Sequence, residues 1–222
     1  MKYLIVNADD FGYSRVFNEK ILELIERGCI SGTSVMVKWI NDAQNTQVRR
    51  LVKLHQTKNV SVGLHVEFSS TLYGQEIDEQ WQKFIILFGF APEHIDFHKY
   101  SGMPTEYLSD GYPVITAFSK KFGVPCKNLG ITQKTEWMTE AEEFRGTQRA
   151  MEEIEAWLAT LKDHEYYHVT YHPGTFDPDS KSSLNKEREI DAQKVIQLFG
   201  LLPKYGVELA SSRDFAAHVR AG

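Results

Sequence analysis

Short runs of apolar, often β-branched residues alternate along this chain with longer stretches in which apolar residues recur every three or four positions. Tyr3 to Val6 reads as a buried strand. Phe17, Ile21, Leu24 and Ile25 then keep helical spacing, opened by Ser14 as an N-cap and closed by Gly28. Thr33 to Val37 and Asn59 to Phe68 read as strands, and Ile77, Trp81, Phe84, Ile85 and Phe88 mark one face of a helix. After the turn region Gly89 to Pro92, His94 to His98 predicts a further strand. Met151, Ile154, Leu158 and Leu161 mark a helix before the strand Tyr166 to His172. Ala192, Val195, Ile196 and Phe199 give the last long helix, ahead of a short strand at Val207 to Ala210.

Strands that alternate with helices predict an α/β protein with a largely parallel sheet. The length of 222 residues suits one core, and neither a repeat nor a Pro/Gly-rich linker divides it, so a single domain over 1–222 is expected. In parallel sheets, function gathers at the carboxyl ends of the strands, whether the sheet is open or closed into a barrel. Asp9 and Asp10 follow the first strand, His65 ends the run "VSVGLH", His94 and His98 lie on "HIDFH", and His172 ends "HVTYH". Four strands therefore finish on a side chain able to bind a metal or carry a proton. One carboxylate and two imidazoles form a ligand set for a catalytic divalent metal with positions left for water and substrate.

Each residue also has an ordinary reading. Asp9 and Asp10 could cap a turn, and His65 could be a core histidine. His94 and His98 share a strand face, so both could aim at one centre, or one could be a hydrogen-bond partner of the other's site. His172, before Pro173 and Gly174, could belong to a turn. His55, His164, His168 and His218 read as structural or surface, and Asp177 and Asp179 as turn formers. Trp39, Trp137 and Tyr73 are candidates to stack on a sugar ring, though packing accounts better for each.

Bulk properties narrow the partners. A net charge of −5 with no basic stripe disfavours nucleic acid, and no apolar run approaches ~20 residues, so no membrane span is expected. Met1 and Lys2 lead straight into a strand, which is not a secretory signal. Cys29 and Cys126 lie far apart with no CxxC spacing, which argues against a disulfide framework and a cysteine zinc site. The expectation is a soluble cytoplasmic protein.

The runs "VNADDFGYS" (Val6 to Ser14), "GLHVEF" (Gly63 to Phe68), "HIDFH" (His94 to His98) and "YHPGTFD" (Tyr171 to Asp177) resemble the motifs of the YdjC-like carbohydrate (chitooligosaccharide) deacetylases. "GCISGTSVMV" from Gly28 and "REIDAQKVIQL" from Arg188 extend the similarity along nearly the whole chain, in order. The resemblance implies a deformed (β/α) TIM-like barrel and hydrolysis of an N-acetyl group from an acetylated amino sugar or oligosaccharide. It also implies one divalent ion, zinc or magnesium first and manganese, cobalt or nickel next, bound by Asp10, His65 and His98. Asp9 would be the general base and His172 the general acid. Two departures bear on the substrate: Tyr100 and Gly102 stand where the family usually has further histidines, and the connection Ser69 to Glu93 is short. A shorter rim implies a smaller substrate, a more open cleft, or help from a second subunit in a homodimer. Competing readings are a metal-dependent hydrolase of another small amide or ester, and a non-catalytic carbohydrate-binding or regulatory protein on the same scaffold.

Overall fold

The computed structural model describes residues 1–98, 105–126 and 149–221; Tyr100, Gly102 and Trp137 lie outside the described residues. β1 (Lys2–Phe11) is followed by α1 (Arg15–Glu26), β2 (Gly32–Val35), α2 (Asn45–Thr57), β3 (Ser61–Val66), α3 (Tyr73–Phe88), β4 (Ile95–Phe97) and α4 (Thr105–Phe122). Beyond them come α5 (Met151–Thr160), β5 (Tyr166–Tyr171), α6 (Arg188–Leu201), β6 (Val207–Leu209) and α7 (Ser212–Ala221). The strand pairings among the described residues are all parallel, in the order β4-β3-β2-β1-β5. β5 takes one edge of β1 along Tyr3 to Ala8, while the other edge is shared, with β6 beside Lys2 to Leu4 and β2 beside Asn7 to Phe11. The architecture is a parallel half-barrel with helices packed on it, a deformed (β/α) barrel.

Local chemistry explains these elements. The Ser14 hydroxyl accepts the Val16 N–H at 3.1 Å and caps α1. The helix ends where Gly28 takes a φ of +74°, its N–H donating to the Ile25 carbonyl and that of Cys29 to Leu24, both at 2.9 Å. Phe17, Ile21, Leu24 and Ile25 are buried, as their spacing requires. β1 runs further than its apolar stretch, because it is central and its polar residues find partners inside the protein. α2 carries Val48, Leu51 and Leu54 inward at helical spacing, a weaker stripe than those of α1 and α3. The short connection from Ser69 to Glu93 is taken up by α3. Tyr73 is buried at its start, edge-on to Phe68 with centroids 4.9 Å apart, so it is a packing residue. Cys29 and Cys126 are buried and unpaired with each other. Among the described residues, no helix is long and apolar enough to cross a membrane.

One close approach fixes the layer beneath the strand ends. A β-carbon on Gly63 of β3 would lie 2.3 Å from the His94 ring, so the imidazole rests directly on the backbone. His94 is buried there, and its Nε2 is 3.1 Å from the Ser34 hydroxyl. Overpacking of this kind costs roughly 1–3 kcal/mol. Gly63→Ala should therefore lower the unfolding midpoint by several degrees. The Gly63→Ala/His94→Ala double variant should be more stable than the sum of the single changes predicts, which thermal denaturation of the four proteins would show.

Candidate metal centre

Adjacent strand residues point to opposite faces, so a regular β1 could not aim Asp9 and Asp10 at one place. Between Ala8, paired with Thr33, and Phe11, paired with Val35, β1 holds one residue more than β2. This bulge is built with Asp10 at a φ of +70°. Such a backbone costs most L-residues about 1–2 kcal/mol, and Asp and Asn enter it more readily than others. Both carboxylates consequently approach the same atom, His65 Nε2: Asp10 Oδ1 at 3.3 Å and Asp9 Oδ2 at 4.0 Å.

His65 on β3 and His98 just past β4 complete the group. Asp10 Oδ1 is 3.3 Å from His98 Nδ1, and the two imidazoles approach at 3.2 Å between His65 Nε2 and His98 Nδ1. The three atoms thus form a nearly equilateral triangle. Ligands ~2.0–2.1 Å from one tetrahedral ion stand about 3.4 Å apart, so the triangle fits a single cation. Asp10 Oδ1 is buried and accepts no hydrogen bond of regular geometry, a lone pair the protein itself leaves unused. The donor set fits a divalent metal.

The surroundings orient these donors. Asp96 on β4 is fully buried and accepts the His65 Nδ1–H in a short hydrogen bond, which turns Nε2 towards the triangle. The other Asp96 oxygen accepts from the Ser34 hydroxyl at 2.5 Å. Asn7 Nδ2 donates to both Ser34 Oγ at 2.9 Å and Asp9 Oδ1 at 2.7 Å. Ser34 has one proton to give and gives it to Asp96, so it accepts from Asn7 and from His94. A buried chain therefore links Asp9, Asn7, Ser34, Asp96 and His65. Burial would push the His65 imidazole down, but the Asp96, Asp9 and Asp10 carboxylates outweigh it and hold it up at about 10.

Arg188, at the start of α6, is almost wholly buried and donates to Asp10 Oδ2 at 2.6 Å. Its guanidinium lies 4.0 Å over the Phe17 ring. Burial alone would raise the Asp10 carboxyl, but Arg188, His65, His98 and His172 hold it well below the ordinary carboxylate range. One Asp10 oxygen is thus committed to Arg188 and the other to the triangle. His172, after β5, brings Nε2 to 3.9 Å from Asp9 Oδ2. Its backbone N–H donates to Asp191 of α6 at 2.9 Å.

All five residues singled out from the sequence, Asp9, Asp10, His65, His98 and His172, meet at one pole of the sheet. His94 does not join them. Of the remaining histidines, His55 stacks on Phe90 at 4.0 Å, His218 packs on Tyr166, and His168 is buried in β5. Asp177 does form a turn, accepting the Asp179 N–H at 3.0 Å, and it also accepts from Ser14. Sequence reasoning missed Asp96, Asn7, Ser34, Arg188 and Asp191. Asp96 shares a strand face with His98, and Asn7 stands two before Asp9, so period two could have flagged both.

Breaking a buried ion pair from one side typically costs ~3–5 kcal/mol. Arg188→Met should destabilise the chain by about that much in chemical denaturation with chelator present. Asp191 is pushed up to about 6, chiefly by burial, against the N–H of His172 and the charges of Lys194 and Arg188. An unfolded aspartate titrates near ~3.9. The folded chain keeps the proton longer, so this group's contribution to stability is full below pH ~4 and is lost as pH rises through about 6. Asp191→Asn cannot ionise, and its stability relative to the parent should therefore rise by roughly 2–3 kcal/mol between pH ~4 and ~7. Denaturation curves across that range check it.

A family model described as YdjC-like protein matches residues 3–74. A chitooligosaccharide deacetylase of Serratia marcescens is 27% identical over 158 residues, covering 57% of this chain and only 59% of that protein. A carbohydrate deacetylase 2 of Listeria innocua is 24% identical over 254 residues, 95% of this chain and 98% of that one. A solved structure from Enterococcus faecalis V583, described as a candidate cellobiose-phosphate cleavage protein, superposes with a TM-score of 0.69 at 18% identity, over 96% of this chain and 98% of that one. Over residues 3–74 the chain resembles YdjC-like proteins, as its motifs do, and it is similar in sequence to carbohydrate deacetylases.

Proposed function

We propose that this protein is a metal-dependent hydrolase that removes the N-acetyl group from an acetylated amino sugar or oligosaccharide. The observation that carries the reading is the triangle of Asp10, His65 and His98 donors, with Asp9 and His172 at its side. The activities named for the Serratia and Listeria relatives support the substrate class.

Asp10 Oδ1, His65 Nε2 and His98 Nδ1 would hold the cation. Two nitrogen donors favour zinc, with manganese, cobalt and nickel compatible, whereas magnesium prefers oxygen and would keep several waters. A divalent cation in this position supplies Lewis acidity towards an amide carbonyl and brings the pKa of water towards ~7.

The protein's own groups then handle protons. Asn7 donates to one Asp9 oxygen, and the other, 3.9 Å from His172 Nε2, takes the proton of the attacking water as general base. His172 gives a proton from Nε2 to the amide nitrogen as the C–N bond breaks, and the products are acetate and a free amine. Asp191 and Arg188 hold the His172 backbone at its N–H and carbonyl, which sets where the ring can reach. Asp96 keeps His65 in the tautomer the cation needs.

Two variants separate these roles. Asp9→Asn should keep its metal, measured by elemental analysis, while kcat for acetate release from N-acetylglucosamine oligomers falls by roughly 10²–10⁴. Asp10→Asn tolerates the left-handed backbone but should lose the metal itself. Full activity in Asp9→Asn would remove its role as base, and an undiminished metal content in Asp10→Asn would remove the proposed ligand set. Release of acetate only from simple acetamides or esters would remove the sugar.

A further inference from the structure

A cavity of about 730 Å³ is lined by Tyr13, Ser14 and Trp39 together with Asp177, Asp179 and Lys181. That volume falls within the roughly 300–1,000 Å³ of small-molecule pockets. Resting on the reading above, we infer that Trp39 and Tyr13 form a stacking platform for a second pyranose ring of an oligosaccharide whose neighbouring ring presents its amide to the metal centre.

Trp39 is 44% exposed, unusual for the largest apolar side chain. Yet two contacts hold it. Its ring stacks on Tyr13 with centroids 4.7 Å apart and planes at 28°, and its Nε1–H donates to Glu67 Oε2 at 2.8 Å. An exposed ring already held in place loses little conformational freedom when a ligand packs on it.

The platform is also tied to the strand ends that carry the metal donors. The Tyr13 N–H donates to the Asp10 carbonyl at 3.1 Å, and Glu67 lies two residues beyond His65. Tyr13 stacks in turn towards Phe17, the ring beneath Arg188. The chemistry of the walls suits a sugar. A pyranose ring offers an apolar face of C–H bonds to an aromatic plane, and its hydroxyls project sideways towards polar groups. Asp179 and Lys181 line the same cavity and are exposed.

The test uses the glucosamine trimer, which carries no amide and is not turned over. Calorimetric titration should show the parent protein binding it. Trp39→Ala should weaken that binding about tenfold, equivalent to ~1.4 kcal/mol, and Trp39→Phe should stay within about threefold of the parent. Equal affinity in Trp39→Ala, or no binding by the parent, would overturn the platform. Acetate release from the N-acetylglucosamine trimer, measured in parallel, keeps the two ideas apart. Release with unchanged trimer binding in Trp39→Ala overturns the platform alone, whereas trimer binding that depends on Trp39 without release from any acetylated sugar overturns the hydrolase reading alone.

Discussion

A strand turns alternate side chains to opposite faces, and the centre of this protein needs two consecutive ones on the same side. The extra residue in β1, with Asp10 in the left-handed region, meets that demand. Without it, one of the two carboxylates would point into the helical layer, and His65 Nε2 would face a single acid. The strain is local, and the residue that bears it is among the few that tolerate it. The rest of the polar pole follows from where this bulge sets the two carboxylates.

Gathering acids in a buried place creates a second problem. Asp9, Asp10 and Asp96 all lie inside, against one buried guanidinium from Arg188. Isolated charges there would be prohibitive, and buried charge persists only where it is paired and hydrogen-bonded. The chain solves this with hydrogen bonds running from Asp9 through Asn7 and Ser34 to Asp96 and His65. What remains uncompensated is concentrated at one oxygen, Asp10 Oδ1, opposite two imidazole nitrogens. That is the place where a cation would do the most to lower the energy of the site, so the electrostatics and the donor geometry point to the same spot.

How much of this the sequence displayed depends on the range of each interaction. Local signals were plain: the Ser14 cap, the Gly28 stop and the apolar stripes of α1 and α3 need only neighbours a few residues apart. The five site residues were legible because each ends a strand, and parallel strands bring their ends together. α2 and α7 are rich in polar and charged residues, and α4 contains Pro113, which reads as a break in the pattern. Arg188 was not legible at all. It sits 178 residues from Asp10, at the first turn of a helix whose apolar residues are spread around it rather than gathered on one face. Only the closure of α6 over the strand ends makes it a partner, and no spacing rule along the chain encodes that closure. His94 shows the opposite case: a residue on the correct face of the correct strand that the close approach to Gly63 keeps one layer below the site.

The aromatic residues complete the picture of why the pole is stiff. Trp39, Tyr13 and Phe17 stack in sequence, and Phe17 supports Arg188, which grips Asp10. Each contact is worth on the order of 1 kcal/mol beyond the burial it brings. Their importance lies in continuity: the exposed ring at the cavity and the carboxylate at the centre belong to one column of packed groups. A donor that must stay within a few tenths of an ångström of its place is best fixed from both ends, and Asp10 is held at its backbone by the bulge and at its carboxylate by this column.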